Sequence, residues 1–115
     1  VLEREAPRVV ELRWGEVRGA VCKRLGVMPS VVLHRGRGRE NVRVKRIMAW
    51  VGREVGGFSN QQMAKELGQD PTVLSRGLGK LAEELGRDPN LRADVEWLCD
   101  HLRKGRRPKR LIMHA

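Results

Sequence analysis

A chain of 115 residues has room for one domain built on one modest core. Its 24 Lys and Arg outweigh 14 Asp and Glu, and the resulting net charge of +10 favours a polyanion as partner: nucleic acid or an acidic membrane face. No run is long and apolar enough for a membrane span and no signal-peptide pattern opens the chain. One Phe, three Trp and no Tyr make a poor supply of stacking surfaces for single-stranded nucleic acid.

Hydrophobic periodicity predicts helices throughout. Val10, Trp14, Val17, Val21 and Leu25 recur at helical spacing and Gly26 follows at the stop. Gly15 and Gly19 weaken the start of this helix. Pro29 to His34 reads as a short helix with Pro29 in its first turn. The run Arg35-Gly36-Arg37-Gly38-Arg39 breaks the pattern and reads as a loop. Val44, Ile47, Met48, Val51 and Val55 form the next stripe, closed by Gly56-Gly57. Ser59 then caps a helix with Gln62 completing a capping box, and Phe58 and Met63 stand where a hydrophobic staple forms. Leu67 ends that stripe and Gly68 suits a left-handed turn. Asp70 caps a further helix with Pro71 at its first position, an inward stripe of Leu74, Leu78, Leu81 and Leu85, and a stop at Gly86. Asp88-Pro89 opens the last helix on Leu91, Val95, Leu98 and Leu102. The fold class is therefore all-α, a five- to six-helix bundle. The domain is expected over 1–102, with a basic, mobile tail over 103–115.

Charge is unevenly spread along these elements. Residues 1–30 carry +2, residues 31–55 carry +5, residues 56–102 carry −3 and residues 103–115 carry +6. The positive charge thus flanks the segment 59–85 and does not reside in it.

That segment, a capped helix, a glycine turn and a second helix opening on small polar residues, is written as a helix-turn-helix. With its leucines inward, the second helix turns Thr72, Val73, Ser75 and Arg76 outward, with Gly79 and Lys80 a turn later. Short side chains let a helix seat deeply in a major groove about 12 Å wide. The expected major-groove set is Gln69, Asp70, Pro71, Thr72, Val73, Ser75 and Arg76. A solvated first turn is the alternative; the joint occurrence of caps, turn glycine and a basic arm weighs against it. Arg35, Arg37 and Arg39 on a glycine backbone suit a minor groove, where the potential is most negative, or a solvated loop that touches phosphates without reading anything. Arg43, Lys45, Arg46, Ser59 and Lys80 complete the expected minor-groove or phosphate set.

On these residues the chain resembles domain IV of the bacterial replication initiator DnaA from about Val17 to Leu85. The shared features are Leu25-Gly26-Val27, the arginine loop, Arg53-Glu54 and Gly68-Gln69-Asp70 ahead of the reading helix. Gln61 to Gly77 is similar to the Trp repressor, notably in Lys65-Glu66-Leu67-Gly68 and Ser75-Arg76-Gly77. Asp70-Pro71-Thr72-Val73-Leu74-Ser75-Arg76-Gly77 looks most like the C-terminal domain of REP-associated tyrosine transposases. The resemblance implies a Trp repressor–like DNA-binding fold in which the arginine loop enters the minor groove while 70–76 reads the major groove. Where the initiator has a histidine and paired threonines, this chain has Pro71, Thr72 and Val73, so the initiator's own binding box is not carried over.

Catalysis is not expected. The chain lacks the tyrosine a tyrosine transposase needs, and His34, His101 and His114 are scattered without cysteine or carboxylate at metal-ligand spacing. A P-loop pattern is missing as well. No metal, cofactor or small-molecule ligand is expected, and no membrane. Cys22 and Cys99 read as free buried thiols of a reducing cytoplasm, and Trp14, Trp50 and Trp97 as core or helix-packing anchors. The opening residue is Val, as in a processed chain or a piece of a longer one whose upstream part holds a catalytic domain. The expected partner is double-stranded DNA and the expected location the nucleoid of the cytoplasm. The expected role is DNA recognition for a transposase or its derivative, with a DnaA- or Trp repressor–like replication or transcription regulator as the alternative. A helical interaction module with a basic tail is the alternative of another class; it would expose apolar residues where Thr72, Ser75 and Arg76 stand.

Overall fold

The computed structural model describes residues 9–30 and 39–108, the side chains of Arg39 and Glu40 excepted. The loop arginines Arg35 and Arg37, His34 and the greater part of the short helix expected from Pro29 lie outside these residues; Pro29 and Ser30 themselves are helical. Five helices follow in order: α1 Trp14–Leu25, α2 Arg39–Gly56, α3 Asn60–Leu67, α4 Pro71–Arg87 and α5 Pro89–Arg103. Among the described residues there is no strand, only an isolated antiparallel bridge between Val10 and Pro108. The chain is an all-α helical bundle, as its periodicity predicts. No helix among these residues is long and apolar enough to cross a membrane.

The core is one cluster, and α2 runs through its middle, packed against each of the other four helices. It buries Val44, Ile47, Met48, Val51 and Val55, the stripe expected from the sequence. Val17 and Val21 of α1, Met63 of α3, Leu74, Leu78 and Leu81 of α4, and Leu91, Val95, Leu98 and Leu102 of α5 close around it. Glycine makes the tight approach at one corner. A Cβ at Gly52 would stand 2.7 Å from Cζ3 of Trp14, and one at Gly56 would stand 2.5 Å from Cε2 of Phe58. The missing side chains let Trp14 and Phe58 meet edge to face over α2, with ring centroids 5.5 Å apart.

Three expectations are corrected. Val10 does not belong to α1. The helix starts at Trp14 behind an extended Arg13, whose N–H donates to Oε2 of Glu16 at 2.9 Å, and Val10 is buried instead as part of an extended segment whose N–H donates to the Val55 carbonyl. Gly86 does not end α4, which continues to Arg87; the break comes at Asp88, whose Oδ1 accepts from the N–H groups of Asn90 and Leu91 and so starts α5. A capped restart defines the break more strongly than an interior glycine, whose cost in a helix is only about 1 kcal/mol.

The third concerns the basic segment counted as tail from 103. Arg103 ends α5 and donates to the Glu54 carbonyl at 3.2 Å. Arg106 pairs with Oε1 of Glu16 at 2.9 Å, and the Arg107 carbonyl accepts from the Glu11 N–H at 2.9 Å. Residues 103–108 are thus part of the fold, strapped across the entry to α1. Charge complementarity to Glu16 and free backbone groups at 10–11 hold them there, neither of which shows in hydrophobic periodicity.

Candidate nucleic-acid interface

The helix-turn-helix forms from local signals that act together. Ser59 Oγ accepts from the Gln62 N–H at 3.1 Å while Gln62 Oε1 accepts from the Ser59 N–H at 2.9 Å, a reciprocal capping box. At the other end of α3, Gly68 takes the left-handed conformation, φ +63° and ψ 38°, and its N–H closes the helix on the carbonyls of Ala64 and Lys65. The Gln69 N–H donates to the Ala64 carbonyl at 2.9 Å, so the chain leaves α3 along a fixed path. Asp70 then accepts from the Thr72 N–H at 2.7 Å and Pro71 occupies the first helical position. Met63 and Leu67 on one side of the turn and Leu74 on the other are buried, which pins both helices to α2.

That anchoring leaves the opening of α4 in solvent. Asp70, Pro71, Thr72, Val73, Ser75 and Arg76 are all exposed, Gln69 is half-buried, and Gly79 and Lys80 are exposed a turn further on. The side chains of Thr72, Ser75 and Arg76 have no hydrogen-bond or ion-pair partner among the described residues. Val73, at 55 % exposure, is the apolar member of the face. One predicted member is committed elsewhere: a carboxylate oxygen of Asp70 is taken by the Thr72 N–H, so Asp70 shapes the turn.

The predicted phosphate residues divide. Ser59 and Lys80 are exposed, and Lys45 is half-buried. Arg43 reaches the far end of α4, where its guanidinium stands 3.6 Å from Oδ2 of Asp88. Arg46 has an internal role. Its stem lies across α4 in the space that Gly77 leaves open, with Cγ 3.2 Å from the position of a Gly77 Cβ, and its head lies 4.0 Å from Oε1 of Glu84. Gly77, read as part of a motif, is buried because the Arg46 stem covers it. The Arg39 backbone opens α2.

Sequence reasoning missed two other cations. A cleft of about 170 Å³ beside the turn is lined by Arg18 of α1 and Lys65 of α3 together with Trp14, Met48, Glu66, Leu67 and Gly68. Spacing along the chain carries no signal for it, because the two residues are 47 positions apart; Arg18 stands next to Val17 of the buried stripe and reaches α3 only through tertiary packing.

The remaining aromatic and titratable groups lie apart from the turn. Trp14 is core and Trp50 half-buried, as helix-packing anchors should be. Trp97 is 43 % exposed but bracketed: His101 stacks on it at 4.7 Å between centroids and Arg24 covers it at 4.2 Å while pairing with Asp94. Cys22 and Cys99 are free and buried, and burial pushes the Cys99 thiol up to about 11. The Glu16 carboxyl is held below its ordinary value first by the Arg13 N–H and then by Arg106.

No family model matches the chain. It is similar to the chromosomal replication initiator protein DnaA of several bacteria. It is 36 % identical to that of Thermomicrobium roseum over 77 residues, 66 % of this chain and 17 % of the relative. It is 30 % identical to that of Sulfurimonas denitrificans over 83 residues, 71 % of this chain and 19 % of the relative. It is 28 % identical to that of Deinococcus deserti over 93 residues, 81 % of this chain and 20 % of the relative. The chain thus spans about a fifth of the length of the curated relatives it matches.

Proposed function

We propose that this chain is a domain that binds double-stranded DNA with sequence preference and has no catalytic activity of its own. The observation that carries it is the opening of α4: an exposed turn of small and polar side chains, of which Thr72, Ser75 and Arg76 have no internal partner, in a helix-turn-helix whose Met63, Leu67, Leu74, Leu78 and Leu81 are buried. In this reading Thr72 and Ser75 exchange hydrogen bonds with base edges, Val73 meets a thymine methyl, and Arg76 grips guanine or a phosphate. Gln69, Asp70 and Pro71 hold the turn at the groove, and Ser59, Lys80, Lys45 and Arg43 stand toward the backbone.

The loop arginines enter the same picture through α2. Arg43 lies one helical turn beyond the Arg39 start of α2 and pairs with Asp88 at the far end of α4. The exit of the loop and the reading turn are therefore at opposite ends of one helix of about 25 Å. Adjacent major and minor grooves lie half a helical turn apart, about 17 Å. The loop exit thus stands farther from the turn than one groove spacing, and a contact in two grooves is supported by the DnaA-like arginine loop of the sequence and not by this distance. The exposed face at 72–76 holds one apolar residue, Val73, among polar ones, which speaks against the rival reading as an apolar interaction module.

For the setting, two observations point in two directions. The Asp70-to-Gly77 run supports the DNA-recognition part of a REP-associated tyrosine transposase or a protein derived from one. The similarity to DnaA supports a replication or transcription regulator instead. Genomic context separates them, an ATPase domain encoded alongside favouring the second and a tyrosine nuclease domain the first.

The test of the function itself is selection from a random duplex library followed by competition against an unselected duplex. The expected outcome is one enriched motif bound at least tenfold more tightly than random DNA at physiological salt. A folded chain that ignores duplexes at low ionic strength, or binds every sequence alike, overturns the proposal.

A further inference from the structure

The cleft beside the turn carries an inference that rests on the DNA-binding reading and extends it. Its walls are two cations from different helices, Arg18 of α1 and Lys65 of α3, and its rim is the turn glycine Gly68. Among the described residues neither cation forms an ion pair or a side-chain hydrogen bond, whereas Arg24, Arg43, Arg46, Arg53 and Arg106 are all paired with carboxylates. The floor is apolar, made by the buried Trp14 and Met48, and Glu66 is the single acidic group at the lining. Nothing stands within 4 Å of a Cβ placed on Gly68, so the turn itself is open to approach.

Position decides what such a cleft meets. Lys65 and Gly68 lead directly through Gln69 and Asp70 into the exposed opening of α4. A helix about 10–12 Å across nearly fills a major groove of about 12 Å, so what flanks its first turn lies against the phosphates of the groove wall. We propose that Arg18 and Lys65 form a two-helix clamp for one DNA phosphate on the groove wall beside the turn at Gly68. The apolar floor suits the sugar of the same nucleotide. Such a contact fixes register without reading sequence. The clamp ties α1, which has no other part in recognition, to the placement of α4.

The clamp is tested on the full chain with its selected duplex and a random duplex of equal length. Arg18→Gln and Lys65→Gln retain most of each stem, and circular dichroism melts confirm that they fold. Each variant is expected to weaken both duplexes alike, and the two changes together to reduce the slope of log K against log salt by about 0.9, so that the double variant's affinity falls about 3.5-fold less than that of the parent between about 50 and 200 mM salt. Lys65→Arg is expected to keep the parental slope, and Glu66→Gln to tighten both duplexes. Ethylation of one backbone phosphate flanking the selected motif should interfere with the parent and not with the double glutamine variant. A parent that binds while the double glutamine variant keeps its slope overturns the clamp alone; a parent that binds no duplex overturns the function and the clamp together.

Discussion

Thr72 and Arg76 are side chains with nothing to do inside the fold, and that makes them clean probes. Replacing either with Ala leaves the Asp70 cap and the leucine stripe untouched. If each makes one good base contact, the loss on the preferred duplex is about 1–3 kcal/mol, with preference relaxed at one or two base pairs. Competition binding on single-base variants of the motif measures both, and an equal loss on preferred and random DNA contradicts the assignment. Two glycines respond in opposite ways to one methyl group. At Gly52 the added Cβ meets the Trp14 ring at 2.7 Å, while at Gly19 nothing lies within 4 Å. Gly19→Ala should stabilise the fold by up to about 1 kcal/mol through helix propensity. Gly52→Ala should destabilise it, since overpacking costs about 1–3 kcal/mol and outweighs the same propensity gain. Urea melts of the two variants decide the sign.

At the scale of elements, the reading unit was the most legible part of the sequence. Ser59, Gln62, Gly68, Asp70 and Pro71 each specify a local geometry, and local geometry is what a single chain reveals. The leucine stripe of α4 and the buried face of α2 were legible for the same reason, since one helical period sorts inside from outside. What escaped was set by partners distant in sequence. Val10 looks helical because it falls in register with α1, yet backbone pairing with Val55 and Pro108 decides its conformation. Arg46 looks like a phosphate ligand, but Gly77, 31 positions away, gives its stem a seat on α4. His101 stands at the i+4 position that brings it onto Trp97, but nothing in the sequence brings Arg24, 73 positions away, to the other face of the ring. Glu16 is the junction of two further effects, with Arg13 on its backbone side and Arg106 across the strap. Its carboxyl is held below 4.5, so its contribution to stability is in place above about pH 4.5 and is lost as pH falls through the lower, folded-state value. Thermal melts from about pH 6 to pH 3 should show Glu16→Gln with a flatter decline than the parent across the acid end. Identical slopes would mean that Arg13 and Arg106 do not hold the Glu16 carboxylate in the fold.

For the whole molecule, the uneven charge would give the proposed DNA binding a sequence-blind component. Residues beyond 108 include Lys109 and Arg110. Ending the chain at Pro108 keeps the strap and removes those two charges. The shortened chain should bind all duplexes more weakly by a common factor, with a salt slope reduced by at most about 1.8, that is about 0.9 for each phosphate no longer neutralised. Ending it at Leu102 also removes Arg103 and Arg106, so the melting temperature should fall as well. A loss of sequence preference with an unchanged salt slope in the Pro108 chain would refute this division between reading and anchoring.

The bridge between Val10 and Pro108 has a consequence for how this bundle joins anything else. Peptide that arrives at position 10 and peptide that departs from 108 must pass through the same small area of surface, on the side where α1 is entered and α5 is left. Whatever is joined to either end of the bundle therefore meets it at one place on its surface. A chain trimmed to 10–108 and cyclised head to tail through a short glycine-serine link should melt at a higher temperature than the linear form, because the join only fixes an adjacency already present.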